Sequence, residues 1–203
     1  MTFSRYDCEE FIQSIYCYPD TDVLKNKLGI KDVDLLKEAE TELTQLRLYK
    51  LQREPIEGRF TATHFQKIHK YIFQDVYYFA GKIREETIIK GNTKFCESPF
   101  IRNNLDKYLG ELREENYLIG KGIKEFSNRT AYYMAELNII HPFREGNGRA
   151  LREFIRCLGL KSGYIINWDS VDKEEFLKAS ILSVKDPSEL AKCIEVCTES
   201  EKA

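Results

Sequence analysis

No stretch of the 203-residue chain is apolar for long enough to span a bilayer, which takes roughly 20 such residues. The N-terminus, Met1-Thr2-Phe3-Ser4-Arg5-Tyr6, has no signal-peptide core. No single sign of charge dominates. The net charge is −2 with both signs interspersed, so neither a nucleic acid nor a membrane surface is an expected partner. Histidine is scarce (3), and the 6 cysteines lack Cys-x-x-Cys spacing. Metal-cluster and disulfide-framework readings are therefore weak, and reduced thiols point to a cytoplasmic protein. Glycine (11) and proline (5) are sparse, as in a mostly helical chain. There is no internal repeat, low-complexity tract or interdomain linker. The expectation is one domain over residues 1–203. Its core should span roughly 20–185, with terminal helices in 1–30 and 186–199 packing on it.

What is present is a concentrated motif, His141-Pro142-Phe143-Arg144-Glu145-Gly146-Asn147-Gly148-Arg149-Ala150-Leu151-Arg152. Helical apolar patterns lead into it (Tyr133, Met134, Leu137, Ile140) and out of it (Leu151, Phe154, Ile155, Leu158). This reads as helix, tight loop, helix. Gly146 and Gly148 would let the backbone take positive φ and come close to a ligand. The N-terminus of the second helix offers unsatisfied N–H groups and partial positive charge, an anion cradle. A carboxylate at Glu145 beside that cradle suits a divalent cation shared with phosphate, as Mg²⁺ is usually held. Arg149 and Arg152, three apart, share a helix face and can fork onto phosphate oxygens. His141 can take a proton near pH 7. The set reads as a nucleoside triphosphate on Mg²⁺ with a base for an incoming hydroxyl.

The stretch resembles the signature of the Fic family, His-x-Phe-x-(Asp/Glu)-Gly-Asn-Gly-Arg-x-x-Arg, with every fixed position filled. The resemblance implies an all-α Fic fold, a helical bundle with one short β-hairpin flap. It implies an enzyme, a protein adenylyltransferase moving AMP from ATP to a Tyr, Ser or Thr hydroxyl of a target protein. By position, His141 would be the general base and Glu145 would hold Mg²⁺. Gly146, Asn147 and Gly148 would cradle the α- and β-phosphates. Arg149 and Arg152 would grip the β- and γ-phosphates, and Phe143 would be a buried anchor.

Elsewhere the sequence predicts a short amphipathic piece (Phe11, Ile12, Ile15) and a second short helix (Val23, Leu24, Leu28) stopped by Gly29. A long helix follows from near Asp32 to about Lys50, with Leu35, Leu36, Ala39, Leu43 and Leu46 as its apolar stripe. Thr63 looks like the N-cap of a helix carrying Phe65, Ile68, Ile72 and Phe73. His64 and His69 read as structural. The stretch from His69 to Arg84, ending in aromatic-Ala-Gly-x-x-Arg, is also similar to the Fic family. Further helices are expected over 98–116, 123–138, from the motif to about Ser162, from Asp172, and from Pro187-Ser188 with Leu190, Ile194 and Val196 apolar. Residues 165–168 read as an extended link and 199–203 as a fraying tail.

The one β signal is Thr87-Ile88-Ile89 and Thr93-Lys94-Phe95 flanking Gly91-Asn92. In Fic proteins the corresponding hairpin is a flap that takes an extended target segment by strand addition. Many Fic proteins also carry an inhibitory helix, (Ser/Thr)-x-x-x-Glu-(Gly/Asn), which this sequence lacks. That resembles the toxin-type subclass, in which a separate small antitoxin supplies the helix beside Arg152. Type II topoisomerase ATPase subunits are the targets such toxins imply. Two alternatives stand beside this reading. One is a Doc-like phosphotransferase, whose motif has lysine in place of Gly148. The other is a non-catalytic nucleotide-binding interaction module, which would not need His141.

Overall fold

The computed structural model describes residues 13–91 and 93–200. Phe11, Ile12, the turn residue Asn92 and residues 201–203 lie outside them. Seven α-helices build the fold among the described residues: α1 (Val33–Arg53), α2 (Ala62–Phe73), α3 (Ile101–Glu114), α4 (Ile123–Ile140), α5 (Asn147–Ser162), α6 (Lys173–Leu182) and α7 (Ser188–Cys197). Local chemistry sets their starts. The Asp32, Thr61 and Asp172 side chains accept backbone N–H bonds at the N-termini of α1, α2 and α6, satisfying donors a helix start leaves orphaned. The cap of α2 is thus Thr61 and not Thr63, because it is the Thr61 hydroxyl that reaches His64 N–H. Ser98 and Pro99 open a 3₁₀ turn that runs into α3.

Helix α5 is central. Its Leu151, Phe154, Ile155 and Leu158 are buried against α2 and α4. The inward faces of α2 and α4 supply Phe65, Ile68, Ile72, Tyr133 and Leu137. Helix α7 lies against α4 and inserts Leu190 and Ile194, both essentially inaccessible. Val196 instead faces solvent, 65% exposed, because it lies on the opposite side of α7 from Ile194.

Two short antiparallel strand pairs complete the architecture. The expected hairpin is β1 (Ile89–Lys90) with β2 (Thr93–Lys94), in register Ile89↔Lys94 and Lys90↔Thr93. The second pair was not anticipated. β3 (Tyr164–Ile166) pairs with β4 (Thr198–Ser200), so Glu199 and Ser200 are paired backbone and not part of a frayed tail. A three-residue ladder gives too short an alternation to read from sequence.

The expected helix over Val23, Leu24 and Leu28 does not form. Asn26 is responsible: its side-chain amide donates to the Leu24 and Ile30 carbonyls and accepts from the Leu28 and Ile30 N–H groups. Such local bonds compete with a helical ladder. The segment is held by bridges Cys17↔Leu24 and Asn26↔Tyr77.

The apolar stripe expected on α1 is also wrong in part. Leu35 and Leu46 are each 53% exposed, while Leu36, Glu40, Thr44 and Leu51 are buried. The inward face follows an i, i+4 row that contains a charge. That charge belongs to the site.

Candidate active site

His141 is where α4 stops. It is the C-cap of that helix, in left-handed conformation (φ 48°, ψ 62°), with its N–H on the Leu137 carbonyl at 3.2 Å. A non-glycine residue pays about 1 kcal/mol or more to sit there and stays only where its surroundings hold it. Arg84 does much of the holding. It is buried, donates from Nε to the His141 carbonyl (2.8 Å), and reaches the Ile140, Glu86 and Cys96 carbonyls with its remaining nitrogens. One guanidinium thereby ties the end of α4 to both ends of the hairpin.

The His141 ring is fixed as well. Nδ1 lies 3.0 Å from the Asn138 carbonyl, and Phe95 stacks on the ring with centroids 3.9 Å apart. A carbonyl can only accept, so Nδ1 carries the proton and the basic lone pair is on Nε2. Burial, with smaller contributions from the charges of Arg84 and Lys90, pushes the pKa down to about 3. The ring is neutral at pH 7.

The loop after His141 closes on itself. The Asn147 side chain donates to the Phe143 carbonyl (2.7 Å) and accepts from Phe143 N–H (2.9 Å). That staple holds both ends of the buried Asn147 amide on Phe143. Phe143 is completely buried and stacks on His69 (3.8 Å). His69 in turn is sandwiched by Phe73 (4.7 Å). Its Nδ1 accepts from Gly81 N–H (2.8 Å), which leaves Nε2–H to donate to the Glu145 carbonyl (2.9 Å). Read from sequence as structural, His69 is structural, and it positions the motif loop from beneath. Burial lowers its pKa to about 3 also.

These two rings make stability depend on pH. An unfolded histidine takes up a proton near 6.5, whereas each folded ring refuses one until about 3. Between those values the unfolded chain binds more protons, so stability is lost as pH falls through 6.5. The expected loss by pH 5 is about 2 kcal/mol per ring. Urea denaturation at about pH 7.5 and pH 5 measures it, and His141→Ala should remove the share of about 2 kcal/mol that belongs to that ring. A pH slope identical in wild type and variant would contradict the neutral ring.

Gly146 has φ 78°, and a Cβ there would lie 2.0 Å from Phe73 Cζ. No side chain fits. Gly148, expected to need positive φ as well, does not. It is exposed in the first turn of α5, where a Cβ would meet only Arg152 Nη1, at 3.7 Å. The fold does not require glycine there. What a bare residue leaves is open backbone at the helix N-terminus.

Glu145 is partly buried. Its Oε1 accepts from Gly146 N–H (2.8 Å) and lies 4.0 Å from Arg149 Nη2. Burial, then the nearby Glu40, hold its carboxyl above the usual carboxylate range. Arg152 and Arg149 line one groove of about 180 Å³ with Leu48, Arg156 and Trp168. Burial and the Arg149 charge lower the pKa of Arg152.

The expected flap residues divide into two sets. Ile88 and Phe95 are buried, Phe95 on His141 itself. Thr87, Ile89 and Thr93 are partly exposed and Lys94 is exposed.

Residues 59–158 match the Fic/DOC family. The chain is 34% identical over 165 residues to "Probable protein adenylyltransferase Fic" of Escherichia coli, covering 82% of that protein. The chain belongs to the Fic/DOC family. To "Protein adenylyltransferase VbhT" of Bartonella schoenbuchensis it is 45% identical over 175 residues, 86% of this chain but 37% of VbhT. Among solved structures, the Bartonella tribocorum BepC protein with bound AMPPNP superposes with a TM-score of 0.85 at 27% identity, covering 92% of this chain and 97% of BepC. The Bartonella quintana Fic domain with bound ADP gives 0.87 at 30%, covering 92% and 95%. The mostly helical fold is thus the Fic fold.

Two parts of this Fic site escape a sequence reading. One is the Arg84 clamp, whose only signal is its place in the Phe79-Ala80-Gly81-Lys82-Ile83-Arg84 stretch. The other is Glu40 with Tyr77 and Thr44, which come from helices and turns far from the motif.

Proposed function

We propose that this chain is a protein adenylyltransferase that moves AMP from ATP to a hydroxyl of another protein. The observation carrying the proposal is the juxtaposition of His141, with its lone pair on Nε2, and the bare first turn of α5 opened by Gly146 and Gly148. A base and an anion cradle sit a few residues apart on one rigid loop.

The roles follow from position. The N–H groups of Asn147, Gly148 and Arg149 at the start of α5, with the Arg149 and Arg152 side chains, receive the triphosphate. His141 Nε2 accepts the target hydroxyl proton as that oxygen bonds to the α-phosphorus, and the bond to the β-phosphate oxygen breaks to release pyrophosphate. The negative charge of a bound triphosphate raises the proton affinity of the ring from its depressed value. Among the described residues no three His, Cys, Asp or Glu side chains gather as a metal cage. Glu145 alone fits an ion that arrives with the nucleotide and takes most ligands from phosphate and water, as Mg²⁺ does. Bound there, Mg²⁺ would neutralise phosphate charge.

The hairpin is assigned to target docking. The partly or fully exposed residues Thr87, Ile89, Thr93 and Lys94 offer the hairpin to an extended segment by strand addition, and Phe95 and Arg84 couple the hairpin to His141. The groove beside Arg152 is assigned to the inhibitory helix of a separate small antitoxin, since a carboxylate entering it would meet Arg149 and Arg152, while Arg156 there is already paired with Glu153. Topoisomerase ATPase subunits are the first targets to try, in a cytosol where ATP and the target meet.

The test uses purified protein, Mg²⁺ and a bacterial lysate, with ATP labelled on the α- or the γ-phosphate. Label entering protein from α-labelled ATP only, and lost with His141→Ala, is the expected result. Label from the γ-phosphate only would replace this reading with phosphotransfer.

A further inference from the structure

We propose that Glu40 is a positioning residue for Arg149, with Thr44 and Tyr77 as its supports, an inference that rests on the adenylyltransferase reading. Glu40 is 8% exposed on the inward face of α1, where helical spacing calls for an apolar side chain. One of its carboxylate oxygens pairs with Arg149 Nη2 and the other accepts from the Tyr77 hydroxyl. Thr44, one turn along α1, accepts from Arg149 Nη1 at 3.0 Å and donates to the Glu40 carbonyl at 2.7 Å. The face of the same guanidinium lies over the Phe73 ring, 4.7 Å from its centroid.

Arg149 is therefore held by a carboxylate, a hydroxyl and an aromatic ring. These contacts fix both the place and the plane of a side chain with several rotatable bonds. A guanidinium has five N–H donors in a rigid fork, and the Glu40 and Thr44 bonds use only its outer two nitrogens. The held plane keeps the guanidinium along the groove it shares with Arg152. An arginine pre-ordered in this way loses little freedom when a phosphate arrives. A buried acid on an otherwise apolar face is costly unless something needs it, and Arg149 is the group that needs it. Phe73 serves twice, because it also closes the space that keeps Gly146 bare.

The experiment measures affinity for a non-hydrolysable ATP analogue by calorimetry and kcat/KM for transfer, with melting temperatures as control. Glu40→Ala should lower kcat/KM roughly 10- to 100-fold. Glu40→Gln keeps an acceptor in place and should recover most of that loss. In an Arg149→Ala background, Glu40→Ala should cost almost nothing more in analogue affinity, since coupled residues are not additive. Should Glu40→Ala fail to fold, Thr44→Val removes one hydroxyl and keeps the shape; it should weaken analogue binding only while Arg149 is present. A full additive effect of either variant without Arg149, or unchanged kcat/KM in a folded Glu40→Ala protein, would overturn the proposal. Wild-type protein that transfers no AMP would instead count against the adenylyltransferase reading, whatever the variants do.

Discussion

His141→Ala is expected to lower AMP transfer by more than about a hundredfold while leaving affinity for ATP within about threefold. The separation follows from where the ring is. The Asn138 carbonyl, 3.0 Å from Nδ1, fixes the tautomer and leaves the basic lone pair on Nε2. The cradle at the start of α5 is built by other residues: Asn147 staples the loop and His69 holds the Glu145 carbonyl from below. Removing the imidazole also removes the stacking partner of Phe95, so some loosening of the hairpin and a lower melting temperature should accompany it. Calorimetry with a non-hydrolysable analogue distinguishes lost chemistry from lost binding. Transfer within about tenfold of wild type would remove His141 from the role of base.

The two motif glycines should behave oppositely when each is changed to alanine. Gly146→Ala places a methyl carbon 2.0 Å from Phe73 Cζ at a backbone φ of 78°. Phe73 has no room to retreat, being fully buried and stacked on His69. The loop must move or the core must open, at a cost of about 3 kcal/mol or more, and activity should go with stability. Gly148→Ala meets nothing closer than 3.7 Å. In a helical turn alanine is favoured over glycine, so the melting temperature should hold or rise. Affinity for ATP should nevertheless fall about tenfold, because the methyl stands where phosphate approaches the helix N-terminus. Thermal melts and analogue binding on both variants make the comparison. Equal destabilisation by the two would show that Gly148 is there for the fold, and unchanged affinity in Gly148→Ala would remove it from the cradle.

Both predictions depend on a loop whose existence was legible and whose supports were not. The motif states its own geometry. A helix that ends at His141, a positive φ at Gly146 and a new helix at Asn147 are what those residue types favour locally. Helices α4 and α5 were likewise readable, since their apolar residues recur every three to four positions and pack where that period puts them. What the motif does not announce is the Asn147 side chain, which closes the loop on Phe143.

Short-range pattern fails where partners are distant in the chain. Nothing in local spacing singles out Glu40, and the leucines on either side suggest a different stripe. Its burial makes sense only once Arg149, Tyr77 and Thr44 are brought to it. Strands β3 and β4 pair across some thirty residues of chain, with three residues each and no usable period. Asn26 overrode a helical pattern through its own amide. By itself the sequence determined the family signature, the order of the main helices and the chemistry of the motif, because these depend on residue type and near-neighbour spacing. The tertiary structure alone decided which groups hold His141 and Arg149 in place, because a buried polar contact exists only when two segments far apart in sequence desolvate each other.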